Sequence, residues 1–113
     1  MKAAIVVTWT EPVPGREMKA LEFGVDVTAY WTKQADAGLC SAPEMFFSER
    51  GSGMWIVKGD RDALFSIHDT EESQNLLARG QLLMNDFSMD FFTVGDATDA
   101  YLARYANMAA AVA

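Results

Sequence analysis

Residues 43–60 read PEMFFSERGSGMWIVKGD. Two β-rich runs flank ERGSG, and short apolar runs on either side of a glycine-rich turn mark a β-hairpin. The rest of the chain is placed relative to this pair. Upstream, residues 3–10 are apolar or β-branched in both alternating sets: Ile5, Val7 and Trp9, and Ala4, Val6 and Thr8. They read as a first strand. EPVPG then breaks it with two prolines and a glycine. From residue 16 to 37 the spacing changes to three and four. Met18, Leu21, Val25, Ala29 and Thr32 mark one helix face, and Phe23, Val27, Tyr30 and Trp31 widen the stripe. Gly38 stands where a left-handed C-cap is expected.

Downstream, Asp60 suits the N-cap of a segment running through Ile67. Asp69, with Glu72 three residues on, suits the start of a second. Leu76, Leu77, Gly80, Leu83 and Met84 continue that stripe, so a helical break is expected at His68. FSMDFFTVG reads as a fourth strand. Asp96 and Asp99 then begin a last helix, with Tyr101, Tyr105, Met108 and Val112 along one side. The order βαββαβ plus a C-terminal helix predicts an α+β, ferredoxin-like antiparallel sheet with helices on one face. Right-handed crossovers place the first and third strands in its centre. One domain over residues 1–113 is expected.

A net charge of −7 and few, scattered basic residues exclude a nucleic-acid binder, which needs clustered Lys and Arg. They also disfavour anionic membrane surfaces. The lone Cys40 rules out an internal disulfide framework. No stretch is long enough to span a bilayer. The apolar start is followed by acid and proline with no cleavage site, so the cytoplasm is expected. The glycines of the hairpin lack the spacing of a dinucleotide site, and no Walker sequence or nucleophile elbow is present. One histidine and one cysteine cannot build an ordinary zinc site. Neither metal nor cofactor is expected.

A sheet with water on one face should alternate polar and apolar residues. These strands instead carry Met45, Phe46 and Phe47 together, Trp55 between Met54 and Ile56, and Phe91 beside Phe92. Successive side chains point oppositely, so three or four rings would exceed the apolar patch that soluble monomers usually expose. A second copy packed face to face covers it economically, because a two-fold dimer needs only one self-complementary patch. The alternative is that the C-terminal helix folds back over its own sheet.

In this element order and length, residues 3–94 resemble the dimeric α+β barrel superfamily, whose members pair two ferredoxin-like sheets. LFSIHDTEES is similar to the aromatic-x-x-His-Pro-x-His stretch that several such families carry at a helix break. Phe65 and His68 match the aromatic and the first histidine. Asp69 stands where proline is common, and Glu71 where the second histidine would fall. In related cyclases and stress-responsive barrel proteins, that second histidine is the catalytic group. ARGQLLMNDFSMDFF resembles the families' helix-to-last-strand passage, with Gly80 allowing close packing. The resemblance implies a cleft between sheet and helices beside the His68 segment. For the monooxygenases of the superfamily, it implies substrate held in an apolar pocket without metal or flavin.

His68 is the one side chain whose ordinary pKa lies near neutrality. It is a candidate catalytic acid or base, or an anchor for a ligand oxygen. The plainer account, which is favoured, makes it a helix-terminal residue bonded to local backbone. Trp9, Tyr30, Trp31, Trp55 and Phe65 are candidate substrate-pocket residues for an apolar, aromatic ligand. Core and dimer interface are the competing and stronger account of those rings. Two functions follow. One is a small enzyme performing cofactor-independent oxidation, cyclisation or isomerisation, with His68 handling protons. The other is a non-catalytic homodimer that binds a ligand or serves as an assembly module. The enzyme requires an internal cavity near His68.

Overall fold

The computed structural model describes residues 2–113; Met1, the first residue of the expected domain, lies outside the described residues. In the first half of the chain, β1 (Lys2–Trp9), β2 (Glu11–Pro12), α1 (Glu17–Asp36), β3 (Glu44–Phe47) and β4 (Gly53–Asp60) follow one another. The second half holds α2 (Arg61–His68), α3 (Glu71–Leu83), β5 (Met84–Asn85), β6 (Ser88–Thr93) and α4 (Asp96–Ala111). One antiparallel sheet has the spatial order β3-β4-β1-β6. The first and third of its strands are central, as the right-handed crossover requires. This is the ferredoxin-like α+β fold expected from the element order. The pairing of β2 with β5 was not foreseen. Glu11 lies opposite Asn85 and Pro12 opposite Met84, flanked by bonds from Thr10 N to Asn85 O and Val13 N to Leu83 O.

Register assigns each strand residue to a side. Ile5 faces Val57 and Phe91, and Val7 faces Trp55 and Met89; this is the helix side. Of these, Ile5, Val7 and Val57 form the fully buried centre of the core with Val27 of α1 and Leu64 of α2, and Met89 and Phe91 pack against it partly buried. Ala4 faces Lys58 and Phe92, Val6 faces Ile56 and Asp90, and Thr8 faces Met54 and Ser88; this is the helix-free side. Its apolar stripe is Val6, Ile56, Met54 and Phe46, with Phe92 at the β6 edge. Only two rings, Phe46 and Phe92, point outward, rather than three or four. Trp9, Phe47, Trp55 and Phe91 all lie on the helix side, because the hairpin register sets Met45 opposite Trp55 and Phe47 opposite Gly53.

The helices differ from expectation in two details. In α1 the core side is Ala20, Phe23, Val27, Tyr30 and Trp31, whereas Met18, Leu21 and Val25 are exposed. Both sets have helical spacing, and the bulkier rings took the core. The second expected cap moved by one residue. Asp69 keeps helical dihedrals as the C-cap of α2, and Thr70 caps α3 by accepting from Ser73 N at 3.2 Å. Asp60 caps α2 as expected, accepting from Asp62 N at 3.1 Å. Gly38 ends α1 with a φ of 78°. Among the described residues no helix is long and apolar enough to cross a membrane.

Candidate active site

The outward apolar stripe of α1 does not face open water alone. It forms one wall of a cleft of about 980 Å³ over the helix side of β3 and β4. Leu21, Val25 and Thr32 come from the helix, Phe23 and Val27 from its core edge, and Met45, Phe47 and Trp55 from the hairpin. Trp9 closes one end, edge-on to Phe47 with ring centroids 6.1 Å apart. Its indole fits only because residue 53 is glycine. A Cβ there would collide with the Trp9 ring and stand 2.9 Å from the Phe46 carbonyl oxygen. Small-molecule sites span about 300–1,000 Å³ and are mostly apolar with a few placed polar groups. Those groups here are Glu17, Lys33, Asp36, Thr28 and Thr32. Glu17 accepts from Gly15 N at 3.0 Å, and this backbone bond holds its carboxyl below the usual glutamate range.

Trp55 stands between this cleft and the interior. Its ring is backed by Trp31 at 5.7 Å, and Trp31 by Tyr30 at 5.5 Å. The Trp55 indole N–H is buried without a hydrogen-bond partner. Behind it lies a void of only about 10 Å³, lined by Trp55, Trp31, Ser73 and His68 among apolar side chains. That volume is at the lower limit for a single water molecule.

His68 is therefore on the far side of Trp55 from the cleft. It ends α2, where the helical break was expected. Its Nδ1 lies 3.2 Å from Asp69 Oδ1, and its carbonyl accepts from Gln74 Nε2 at 2.8 Å. The imidazole meets Phe91 edge-on at 5.4 Å. Phe65 stacks on the same Phe91 at 4.1 Å and lies under the Arg61 guanidinium at 4.9 Å. Tyr30 OH lies 2.7 Å from Thr70 Oγ1 and 3.2 Å from Ile67 O, so it ties α1 to the α2–α3 joint. Of the residues singled out from the sequence, Trp9 and Trp55 line the cleft. Tyr30, Trp31, Phe65 and His68 do not, because the core and the α2–α3 joint hold them.

The sequence left Phe23, Val27, Met45, Phe47, Glu17, Lys33 and Asp36 unassigned to a site. Met45 and Phe47 were within reach, since both share a face with Trp55 once the hairpin register is known. The charged residues gave no signal, being ordinary helix-surface positions. Cys40 lies beside Gly59, away from the cleft, and burial pushes its thiol up. Among the described residues no three His, Cys, Asp or Glu side chains converge to hold a metal ion.

No protein-family model matches the chain, and no curated protein does either. Solved structures do. Rv0793 from Mycobacterium tuberculosis superposes with a TM-score of 0.67 at 14% identity, over 84% of this chain and 96% of its own. SnoaB from Streptomyces nogalater, a cofactor-independent oxygenase, gives 0.63 at 14% identity, over 82% of this chain and 92% of its own. A dimeric ferredoxin-like protein of unknown function from Bacteroides fragilis gives 0.57 at 10%, over 82% and 96%. At such identities the likeness is one of fold: the chain shares the ferredoxin-like α+β fold of these structures.

Proposed function

We propose that the protein pairs through its helix-free sheet face and binds an apolar, aromatic small molecule in the cleft between α1 and the β3–β4 hairpin. The cleft carries this proposal. It is lined by aromatic and aliphatic side chains on two walls, with Leu21, Val25, Ala29 and Thr32 of the outward face of α1 among them. The pairing is supported by the outward stripe of Val6, Met54, Ile56 and Phe46, and by the dimeric state named for one fold neighbour.

The chemistry that suits such a site is cofactor-independent oxygenation, cyclisation or isomerisation. In oxygenation of this kind the substrate supplies the electrons. The protein's task is then to exclude water, fix the ring and take a proton. Glu17, Lys33 and Asp36 are the titratable groups bordering the cleft. His68 serves only if the Trp55 wall opens. A non-catalytic binding protein would use the same cleft without that step.

Titration with an anthraquinone, followed by tryptophan emission, tests the binding. Saturable quenching at one ligand per chain is expected, because Trp9 and Trp55 both border the site. Phe47→Glu and Val25→Glu should each weaken it tenfold or more. Non-saturable quenching in the unaltered protein rejects the cleft. Oxygen uptake with an anthrone then separates the two functions: His68→Ala should keep anthraquinone binding and lose uptake if His68 moves the proton. Binding without uptake in the unaltered protein leaves the non-catalytic function.

A further inference from the structure

The last helix is the element whose apolar side finds no partner within the chain. Ala97 in the first turn of α4 is buried at the ends of β1 and β6. From residue 99 onward every side chain is exposed. Tyr101, Tyr105, Met108 and Val112 recur at four, three and four, so they form one stripe, and they are 52%, 64%, 58% and 84% exposed. The two tyrosine rings stack only on each other, 6.4 Å apart. A lone helix of this length is marginal in water and needs packing to persist. The radius of gyration is 16.1 Å, against about 13 Å for a compact chain of this size. The helix stands off the body rather than folding back over the sheet.

We propose that α4 is an arm that lays its Tyr101–Tyr105–Met108 stripe on a second copy of this chain, widening the sheet-to-sheet interface. This rests on the face-to-face pairing proposed above. Three observations select a second copy as the occupant. First, the arm starts beside the ends of β1 and β6, where Ala4 of the helix-free face is buried and Phe92 is half exposed, so it leaves the body next to the surface that pairing would cover. Second, its reach is right: 16 residues span about 24 Å, more than the ~14 Å width of a four-stranded sheet. A two-fold axis supplies two such arms, each adding several hundred Å² of apolar contact. Third, the charge of α4 is Asp96, Asp99 and Arg104, which suits neither an anionic bilayer nor nucleic acid. The solved neighbours match 82–84% of this chain but 92–96% of themselves. The unmatched share is about the size of residues 96–113, as an arm added to the shared fold would leave.

Sedimentation velocity across a concentration series tests the arm. Three proteins are compared: the unaltered chain, the triple variant Tyr101→Asp/Tyr105→Asp/Met108→Asp, and Ile56→Asp on the sheet face. Circular dichroism checks that each remains folded, and a chain ending at Gly95 serves as a second way to remove the arm. The arm variants should still dimerise, with a dissociation constant raised tenfold or more, while Ile56→Asp should be monomeric. Unchanged dimer affinity in both arm variants, alongside a monomeric Ile56→Asp, overturns the arm and leaves the pairing intact. A monomeric unaltered chain at every concentration overturns the pairing itself. Binding of the unaltered chain to phosphatidylglycerol vesicles, lost in the triple variant, would give the stripe to a membrane and also overturn the arm.

Discussion

At the scale of single residues, two glycines decide how rings are placed, and they differ in what surrounds them. A methyl group at Gly53 meets the Trp9 ring and the Phe46 backbone carbonyl; at Gly80 the nearest atoms it meets all belong to the Phe87 ring. Backbone cannot step aside as a half-buried ring can. Overpacking costs about 1–3 kcal/mol, and Gly53→Ala should fall at the upper end in urea titration, with altered tryptophan emission. Gly80→Ala regains about 1 kcal/mol of helix propensity, so its net loss should be about 1 kcal/mol or less. The reverse order would show that Trp9 is freer than its packing suggests. Trp55 offers a second residue-scale test. Its buried N–H has no partner, so Trp55→Phe removes a desolvation cost of about 1–3 kcal/mol while leaving a gap of comparable cost. Stability should stay within about 1 kcal/mol of the unaltered protein; a loss of about 3 kcal/mol or more would mean that the nitrogen is hydrogen-bonded. Trp9 and Trp55 were legible as pocket candidates only as aromatic rings, because strand alternation alone does not say which of them faces a cavity; the pairing register does. Tyr30 and Trp31 were not separable from them, since a ring on a helix serves core or cleft with the same spacing.

At the scale of elements, the hairpin and the helix break at His68 could be read from turn glycines and cap residues. The orientation of α1 could not. Its two stripes, one beginning at Met18 and the other at Ala20, are both helical in period. Only the size of Phe23, Tyr30 and Trp31 against the sheet decided which turned inward. The β2–β5 ladder was also hidden, because two residues carry no periodicity. The joint between α2 and α3 shows how a cap is chosen. Asp69 had the sequence signature, yet Thr70 holds the position. Thr70 Oγ1 accepts from Ser73 N, donates to Ile67 O at 2.9 Å and meets Tyr30 OH. One hydroxyl thus satisfies a helix start, a helix end and a buried phenol. Thr70→Ala should cost about 1–2 kcal/mol in thermal melts. Asp69→Ala should cost clearly less, since its carboxylate only meets the half-buried imidazole at the surface. Equal losses would restore Asp69 as the cap.

At the scale of the molecule, the apolar surface left over after the core is built lies in three places: the cleft, the helix-free sheet face and the α4 stripe. The first is concave and suits a small ligand; the other two adjoin where α4 leaves the ends of β1 and β6, and are the surfaces proposed to take a copy of the chain. Pairing has a thermodynamic signature that needs no knowledge of the ligand. Whatever binds the folded chain and not the unfolded one stabilises it by mass action. For a dimer unfolding to two chains, each tenfold rise in protein concentration adds about 1.4 kcal/mol of stability per dimer, so the melting temperature should climb with concentration. Ile56 sits mid-strand on the helix-free face, with Val6 and Glu44 as its neighbours. An aspartate there would bring an unpaired carboxylate to the centre of the interface, where a buried charge without a partner is strongly unfavourable. In Ile56→Asp the melting temperature should be lower and independent of concentration. Lys58→Asp, one pleat further along the same face and exposed, is the charge control and should retain much of the slope. A flat melting temperature for the unaltered chain, from micromolar to millimolar, would mean that water wets the helix-free face in the native state.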